Sequence, residues 1–447
     1  MIALKSFLGR TFVPSSPAFP ILFGFLTLIF IGTLFLLLPF SVAPGNTIRF
    51  IDALFTATSA VCVTGLVVVD TGTFFSIWGQ IVILVLIQFG GLGYMTVATL
   101  LALTLRRRIE YRDRLAIRDS FSLDVPGGIV RFVLDVLRYV LWMEGIGFVL
   151  LFAAFLRYLP VSKAAFSAFF HSISAFCNAG FSTFSNNLEN FVLDPLVNFP
   201  IIGLIVTGGI GFVVIRELVE RRHIASLHAR TVILTTLALI STGTIVFLAL
   251  EFHNPLTFGP LPGWGKLMAA LFLSVTPRTA GFNTVPIRYL HPASALLAMF
   301  LMFIGASPGG TGGGVKTTTL AIILALIRSA LQGHDGVDLL HRRVARNAVR
   351  RALTVFFLAL GLVFCSAFLL LVTQKGTPLD LAFEAVSAFG TVGLSRGVTA
   401  NLSDAGKLVI IVTMFLGRVG IFTALVAMGI ARERKELLVY PEERVLI

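Results

Sequence analysis

An eight-residue stretch, Ser59-Ala60-Val61-Cys62-Val63-Thr64-Gly65-Leu66, recurs along the chain and constrains its fold more than any other feature. Anchored on the glycine, Ser174-Ala175-Phe176-Cys177-Asn178-Ala179-Gly180-Phe181 and Ser387-Ala388-Phe389-Gly390-Thr391-Val392-Gly393-Leu394 match it position for position. Val275-Thr276-Pro277-Arg278-Thr279-Ala280-Gly281-Phe282 is a more diverged copy. The glycines lie roughly a hundred residues apart, so the chain reads as four diverged copies of one unit. Its function has to be sought in what four such loops build together.

With 56% hydrophobic and 13% charged residues among 447, against about a quarter charged in soluble domains, the chain belongs in a bilayer. Its net charge of +13 gathers at 106–118, 216–230, 328–351 and 432–444, each after a long apolar stretch. That is the positive-inside pattern and puts the four clusters in the cytoplasm. Juxtamembrane charge suits anionic lipid, which argues against a nucleic-acid partner. Cys62, Cys177 and Cys365 have no metal-ligand spacing and read as small buried residues; a Cys62–Cys177 pairing stays open because the two hold equivalent repeat positions. Residues 1–16 lack a cleavage-like site and read as a cytoplasmic lead-in.

Unit one opens with about twenty apolar residues at 19–40, enough to span. After Pro44-Gly45-Asn46, residues 50–60 are apolar but too short to cross, and 78–105 returns the chain to Arg106-Arg107-Arg108. Each unit is expected to run outer helix, re-entrant half-helix, loop, inner helix. The same order fits 129–159, 162–176 and 193–215, then 231–252, 264–276 and 292–327, then 352–372, 378–389 and 407–430. The expected fold is an all-α integral membrane protein, four pseudo-symmetric repeats around one pore, with eight spanning helices and both termini cytoplasmic. Unit boundaries fall at 19–118, 119–222, 223–341 and 342–431, between a lead at 1–18 and a tail at 432–447. Thr377-Pro378-Leu379-Asp380 is a capping-box-like helix start, and Pro160-Val161-Ser162 a similar one. Asp52 and Asp380 stand at equivalent positions, thirteen before their glycines. The half-helices then aim their negative C-terminal ends at the membrane centre, which favours a cation there.

Non-helical backbone at membrane depth is tolerated only when buried in protein or lining a water-filled cavity. Four equivalent loops round one axis meet that condition, with carbonyl oxygens free to replace the hydration shell of an ion. The glycine permits positive φ or close backbone approach, and Leu66, Phe181, Phe282 and Leu394 are expected to pack each loop from behind. The residues before it, Val63-Thr64, Asn178-Ala179, Thr279-Ala280 and Thr391-Val392, share no ligating side chain, whereas transition metals or calcium would need His, Cys, Asp or Glu. A glycine that merely ends a buried helix would explain one copy, not four.

These loops, together with Gly305-Ala306-Ser307-Pro308-Gly309-Gly310-Thr311-Gly312-Gly313-Gly314-Val315-Lys316-Thr317, resemble the KtrB/TrkH/HKT superfamily of potassium transporters over essentially the whole chain from residue 19. The short lead makes it more similar to the KtrB type than to the longer TrkH type. The resemblance implies potassium held by the loops Cys62-Val63-Thr64-Gly65, Cys177-Asn178-Ala179-Gly180, Arg278-Thr279-Ala280-Gly281 and Gly390-Thr391-Val392-Gly393. It also implies a homodimer in a prokaryotic plasma (inner) membrane. Pro277-Arg278 departs from the other copies, so the third loop should be the least regular and set the selectivity limit. A cytoplasmic nucleotide-sensing ring of the KtrA type is the expected regulator, since only basic linkers and a short tail face the cytoplasm.

The stretch Gly305 to Lys316 puts a proline and six glycines where the third inner helix should continue, and each disfavours a helix interior by about 3 and 1 kcal/mol respectively. It is not a phosphate loop, because Val315 replaces the glycine before Lys316 and no strand precedes it. The resemblance implies that it gates the path, against the alternative of a kink for close packing. Only unit three is expected to lose helix; Gly90-Gly91-Leu92-Gly93, Gly208-Gly209-Ile210-Gly211 and Gly417-Arg418-Val419-Gly420 suit hinges or packing. Arg418, a charge deep in an apolar helix, should face a cavity or partner, bond carbonyls around Gly309 to Gly313 and act as a barrier to cations, as the family's arginine does. Snorkelling to the interface is the alternative. His171 and Glu384, both nine residues before their glycines, are expected to brace the loops by hydrogen bonds, with proton coupling open. Asp135 and Glu144 are expected to pair with cytoplasmic or interhelical basic groups. The competing reading is a sodium- or proton-coupled potassium secondary transporter; no nucleophile–base constellation points to an enzyme.

Overall fold

The computed structural model describes residues 18–93, 129–221 and 226–427; the first and last basic clusters and both chain ends lie outside them. Four outer helices, α1 (Ala18–Leu36), α4 (Ile129–Phe155), α8 (Leu227–Glu251) and α12 (Arg346–Thr373), are long and apolar enough to cross a bilayer. They keep large apolar faces uncovered: Trp142 is 72% and Phe364 71% exposed, a composition that lipid satisfies and water does not. Four half-helices follow them in turn: α2 (Phe50–Val61), α5 (Val161–Phe176), α9 (Gly263–Val275) and α13 (Pro378–Gly390). Each packs on its own unit's outer helix.

The inner segments begin with α3 (Ile77–Leu92), α6 (Pro195–Ile210), α10 (Pro292–Phe303) and α14 (Asp404–Val419). Every one is capped at its start: Ser76, Asp194, His291 and Ser403 accept from the amides of Gly79, Leu196, Ala293 and Gly406, which satisfies donors a helix N-terminus leaves orphaned. Among the half-helices, Thr377 caps α13 by accepting from the Asp380 amide at 3.2 Å. The expected cap at Ser162 is absent; Pro160 occupies the cap position of α5 without a side-chain bond.

The inner segments overturn the expectation that only unit three loses helix. The break is not confined to unit three. Gly93, Gly211 and Gly420 end α3, α6 and α14 at φ of 81°, 100° and 86°, a backbone conformation outside the right-handed helix region. After Gly211 the chain resumes as α7 (Phe212–Arg221) at 99° to α6, and after Gly420 as α15 (Ile421–Ala427). In unit three the interruption is longer, and helix returns only at α11 (Thr317–Leu331). A two-residue hairpin, Asp338–Leu339 with Arg342–Arg343, links α11 to α12.

The units close into a ring. α3 packs on α5, α6 on α9, α10 on α13, and α14 returns to α2, so each inner helix meets the half-helix of the next unit. The last seam carries an ion pair, Lys407 Nζ to Asp52 Oδ1 at 2.6 Å, with both side chains nearly buried. Asp380, the counterpart of Asp52, is held by Arg396 at 2.5 Å.

Candidate functional site

Each half-helix ends in the repeated loop, and the four loops share one unusual backbone. Val63, Asn178, Thr279 and Thr391, two residues before the glycines, have φ of 54°, 57°, 74° and 50°. Three of these are β-branched, for which positive φ is a true outlier. Gly65, Gly180, Gly281 and Gly393 are also at positive φ. The main chain bonds back to its half-helix: Thr64, Ala179 and Val392 amides donate to the carbonyls of Ser59, Ser174 and Ser387 at 2.7–2.9 Å. Leu66, Phe181, Phe282 and Leu394 are buried behind the loops.

The glycines sit at the contact between loops. A Cβ on Gly65 would strike the Ala179 carbonyl oxygen, one on Gly180 the Ala280 oxygen at 2.7 Å, one on Gly281 the Val392 oxygen, and one on Gly393 the Thr64 oxygen. The order runs one, two, three, four and back to one. Four carbonyls from the residue before glycine therefore crowd one ring, and no side chain larger than hydrogen fits between them. The third loop keeps the contact between glycine and carbonyl but not the return bond of the others: its Ala280 and Gly281 amides both donate to the Thr276 carbonyl, at 3.0 and 3.3 Å. Arg278 does not enter the ring: its guanidinium turns back, where Nη2 reaches Thr236 of α8 at 3.4 Å. It is buried with Nε unpaired.

The glycine-rich loop lies directly against this ring. Its neck is closed by the Val315 amide on the Phe303 carbonyl and the Ala306 amide on the Gly313 carbonyl, at 3.1 and 3.3 Å. Ser307 and Thr311 amides donate to Gly209 and Gly208 in α6, and Gly309 accepts from Phe212 across the Gly211 break. Ser307 and Thr317 hydroxyls bond at 2.9 Å, and Gly310 turns back on Ser307. Lys316 Nζ donates to the Gly312 carbonyl at 2.8 Å. Gly314 allows the return at φ of 70°, and a Cβ on Gly305 would collide with Gly313. Arg418 bonds the Thr311 carbonyl with one nitrogen and the Gly90 carbonyl with the other. It thus joins the loop to the first and fourth inner helices and does not snorkel away.

Sequence reasoning missed how the loop is seated. Three of the four left-handed residues two before glycine aim side chains at it: the Gly313 amide donates to Thr391 Oγ1 at 3.0 Å, a Cβ on Gly312 would strike Thr279 Oγ1, and the Asn178 amide, with its oxygen turned toward Thr311, accepts from that hydroxyl at 3.2 Å. Also missed were hydroxyls six before glycine. Ser59 and Ser387 accept from the Gly65 and Gly393 amides at 3.0 and 3.1 Å; Ser174 donates to the Phe181 carbonyl at 2.8 Å. Serine recurring in three copies was the available signal. Cys62 and Cys177 are both free thiols, which rules against the pairing left open. Glu144 is bonded by the Gln88 amide at 3.0 Å, an interhelical partner but not a basic one; Asp135 meets Arg138 of its own helix at 3.5 Å, not a group from another helix. Among the described residues no cluster of His, Cys, Asp and Glu suits a metal ion.

The TrkH family, described as cation transport protein, matches residues 23–438. The chain belongs to the TrkH family of cation transport proteins. It is 39% identical over 424 residues to the Ktr system potassium uptake protein B of Bacillus subtilis, covering 94% of each chain. It is 37% identical to the potassium/sodium uptake protein NtpJ of Enterococcus hirae, covering 97% of each. The crystal structure of the potassium transporter TrkH from Vibrio parahaemolyticus superposes with a TM-score of 0.72 over 90% of this chain and 84% of that one, at 20% identity, which establishes a shared TrkH fold. The family is one of transporters, not enzymes.

Proposed function

We propose that this TrkH-family chain is a potassium-uptake subunit, conducting potassium down its gradient through the ring of loop carbonyls. The closed order of contacts, each glycine against the preceding carbonyl of the next loop, carries the reading. Carbonyl oxygens at a dry constriction can stand in for the hydration shell of a cation, and four half-helix C-termini add negative potential. The filter residues are those of the four loops, Cys62 to Gly65, Cys177 to Gly180, Arg278 to Gly281 and Gly390 to Gly393, through their main chain. The loop from Gly305 to Lys316 is the gate and Arg418 its latch. The units keep the boundaries 19–118, 119–222, 223–341 and 342–431. The likeness to the Ktr protein supports a homodimer in a prokaryotic inner membrane, termini cytoplasmic, with a cytoplasmic nucleotide-binding ring as regulator.

A second reading, potassium movement coupled to sodium or protons, is favoured by the relative named for potassium/sodium uptake. Flux of potassium, rubidium, sodium and lithium into liposomes, with imposed sodium and proton gradients and with or without a cytoplasmic ring, separates the two. Channel-like transport gives potassium and rubidium flux set by their own gradients. Reversal potentials that follow the sodium or proton gradient indicate coupling, and equal flux of all four ions rules out the filter.

A further inference from the structure

His171 and Glu384 hold the same place in units two and four, nine residues before the glycine, and both are fully buried. Each reaches a serine two residues beyond the glycine of its own loop. His171 Nε2 lies 2.9 Å from Ser182 Oγ, while Nδ1 donates to the Ser167 carbonyl at 2.7 Å; Nε2 is thereby left to accept the Ser182 proton. Ser395 Oγ donates to Glu384 Oε2 at 2.8 Å, and Thr399 bonds the other carboxylate oxygen. The two serines are used identically on their second side. Ser182 Oγ accepts from the Phe184 amide at 3.0 Å and Ser395 Oγ from the Gly397 amide at 3.1 Å.

Units one and three lack this arrangement. Thr56 bonds its own helix through the Asp52 carbonyl, and Phe272 at the third position has no polar group. A hold from the half-helix onto its own departing strand is therefore present twice, on opposite sides; in unit three the equivalent Asn283 is held instead from unit two, by Glu189 at 2.7 Å.

We infer that His171 and Glu384 are positioning residues that set ion discrimination by fixing the departing strands of the second and fourth loops through Ser182 and Ser395. The inference rests on the filter reading above. A carbonyl ring discriminates by the number and field of its dipoles, so anything that lets two opposite strands reorient changes which ion the ring suits. A buried acceptor and hydroxyl with no water to replace each other hold direction more firmly than the same pair at a surface.

The test removes single oxygen atoms. S182A and S395A delete the bridging hydroxyl with little change in volume, and T56V does the same at the unbraced position. The potassium-to-sodium permeability ratio is measured from bi-ionic reversal potentials in liposomes, with unfolding temperature alongside. S182A and S395A should each lower the ratio several-fold and the double variant further, with the protein folded and T56V like wild type. Glu384→Gln, which keeps an acceptor for Ser395, should retain most of the ratio that Glu384→Ala loses. Unchanged ratios in folded S182A and S395A, or an equal fall in T56V, overturn the inference. Absence of potassium preference in the wild type is a separate outcome, and it defeats the filter reading itself.

Discussion

Arg418 donates to the main-chain carbonyl of Thr311 while its second nitrogen holds Gly90 of the first inner helix. A guanidinium spanning these acceptors links the glycine-rich loop to two inner helices and leaves positive charge beneath the carbonyl ring. A charge-assisted hydrogen bond contributes about 1.5–3 kcal/mol, so its loss should shift a closed–open equilibrium by roughly tenfold or more. R418A should raise basal potassium flux by at least that factor, measured at matched expression without a regulatory partner. Flux equal to wild type removes Arg418 from the gate.

Thr391 offers the loop a second hold through the Gly313 amide. T391V keeps the shape and deletes the acceptor, leaving an unpaired amide in the protein, at a cost of about 1–3 kcal/mol. Basal flux should rise severalfold, with Thr391→Ser close to wild type in the same liposome assay.

Gly393 cannot accept a side chain, because a Cβ would collide with the Thr64 carbonyl and lie 3.0 Å from Gly65 carbons. G393A should reduce potassium-to-sodium discrimination about tenfold or more, since displaced carbonyls no longer match one ion. Gly45, at positive φ but with open space around it, provides the control: G45A strains a turn and leaves discrimination alone.

Asp52 and Lys407 close the ring between the first and last units. D52N leaves Lys407 buried without its carboxylate and should destabilise by about 3–5 kcal/mol. K407M should cost less, because Arg49 still pairs with Asp52 at 2.9 Å. Thermal unfolding in detergent of the two single variants and the double variant gives the coupling.

Asp380, at the start of its half-helix, is pushed up by partial burial, but Arg396 and the Thr377 contact outweigh this and hold its carboxyl below the usual 3.8. A carboxyl depressed on folding adds stability above its unfolded value and loses it as pH falls through the folded one. Unfolding temperature should therefore be insensitive to this group at neutral pH and fall below about pH 4, with the acid-side dependence reduced in D380N.

The ring was legible because four glycines keep their spacing while the residues around them diverge. Its conformation was not. Positive φ at Val63, Thr279 and Thr391 runs against local preference, so no propensity could announce it. The inner-helix breaks were only half legible: the clusters at Gly211 and Gly420 suited hinges or packing alike, and only the turn of the chain separates a packing glycine from a stop. Where the Arg278 side chain goes was not legible either, because only the packing of α9 on α8 brings Thr236 within its reach.

The carbonyl ring itself is tested most directly by crystals soaked in rubidium, with anomalous data collected at its absorption edge. The account predicts a peak on the ring axis, ligated by main-chain oxygens that include those of Thr64, Ala179, Ala280 and Val392. A crystal with strong rubidium peaks elsewhere and none at that ring would contradict it.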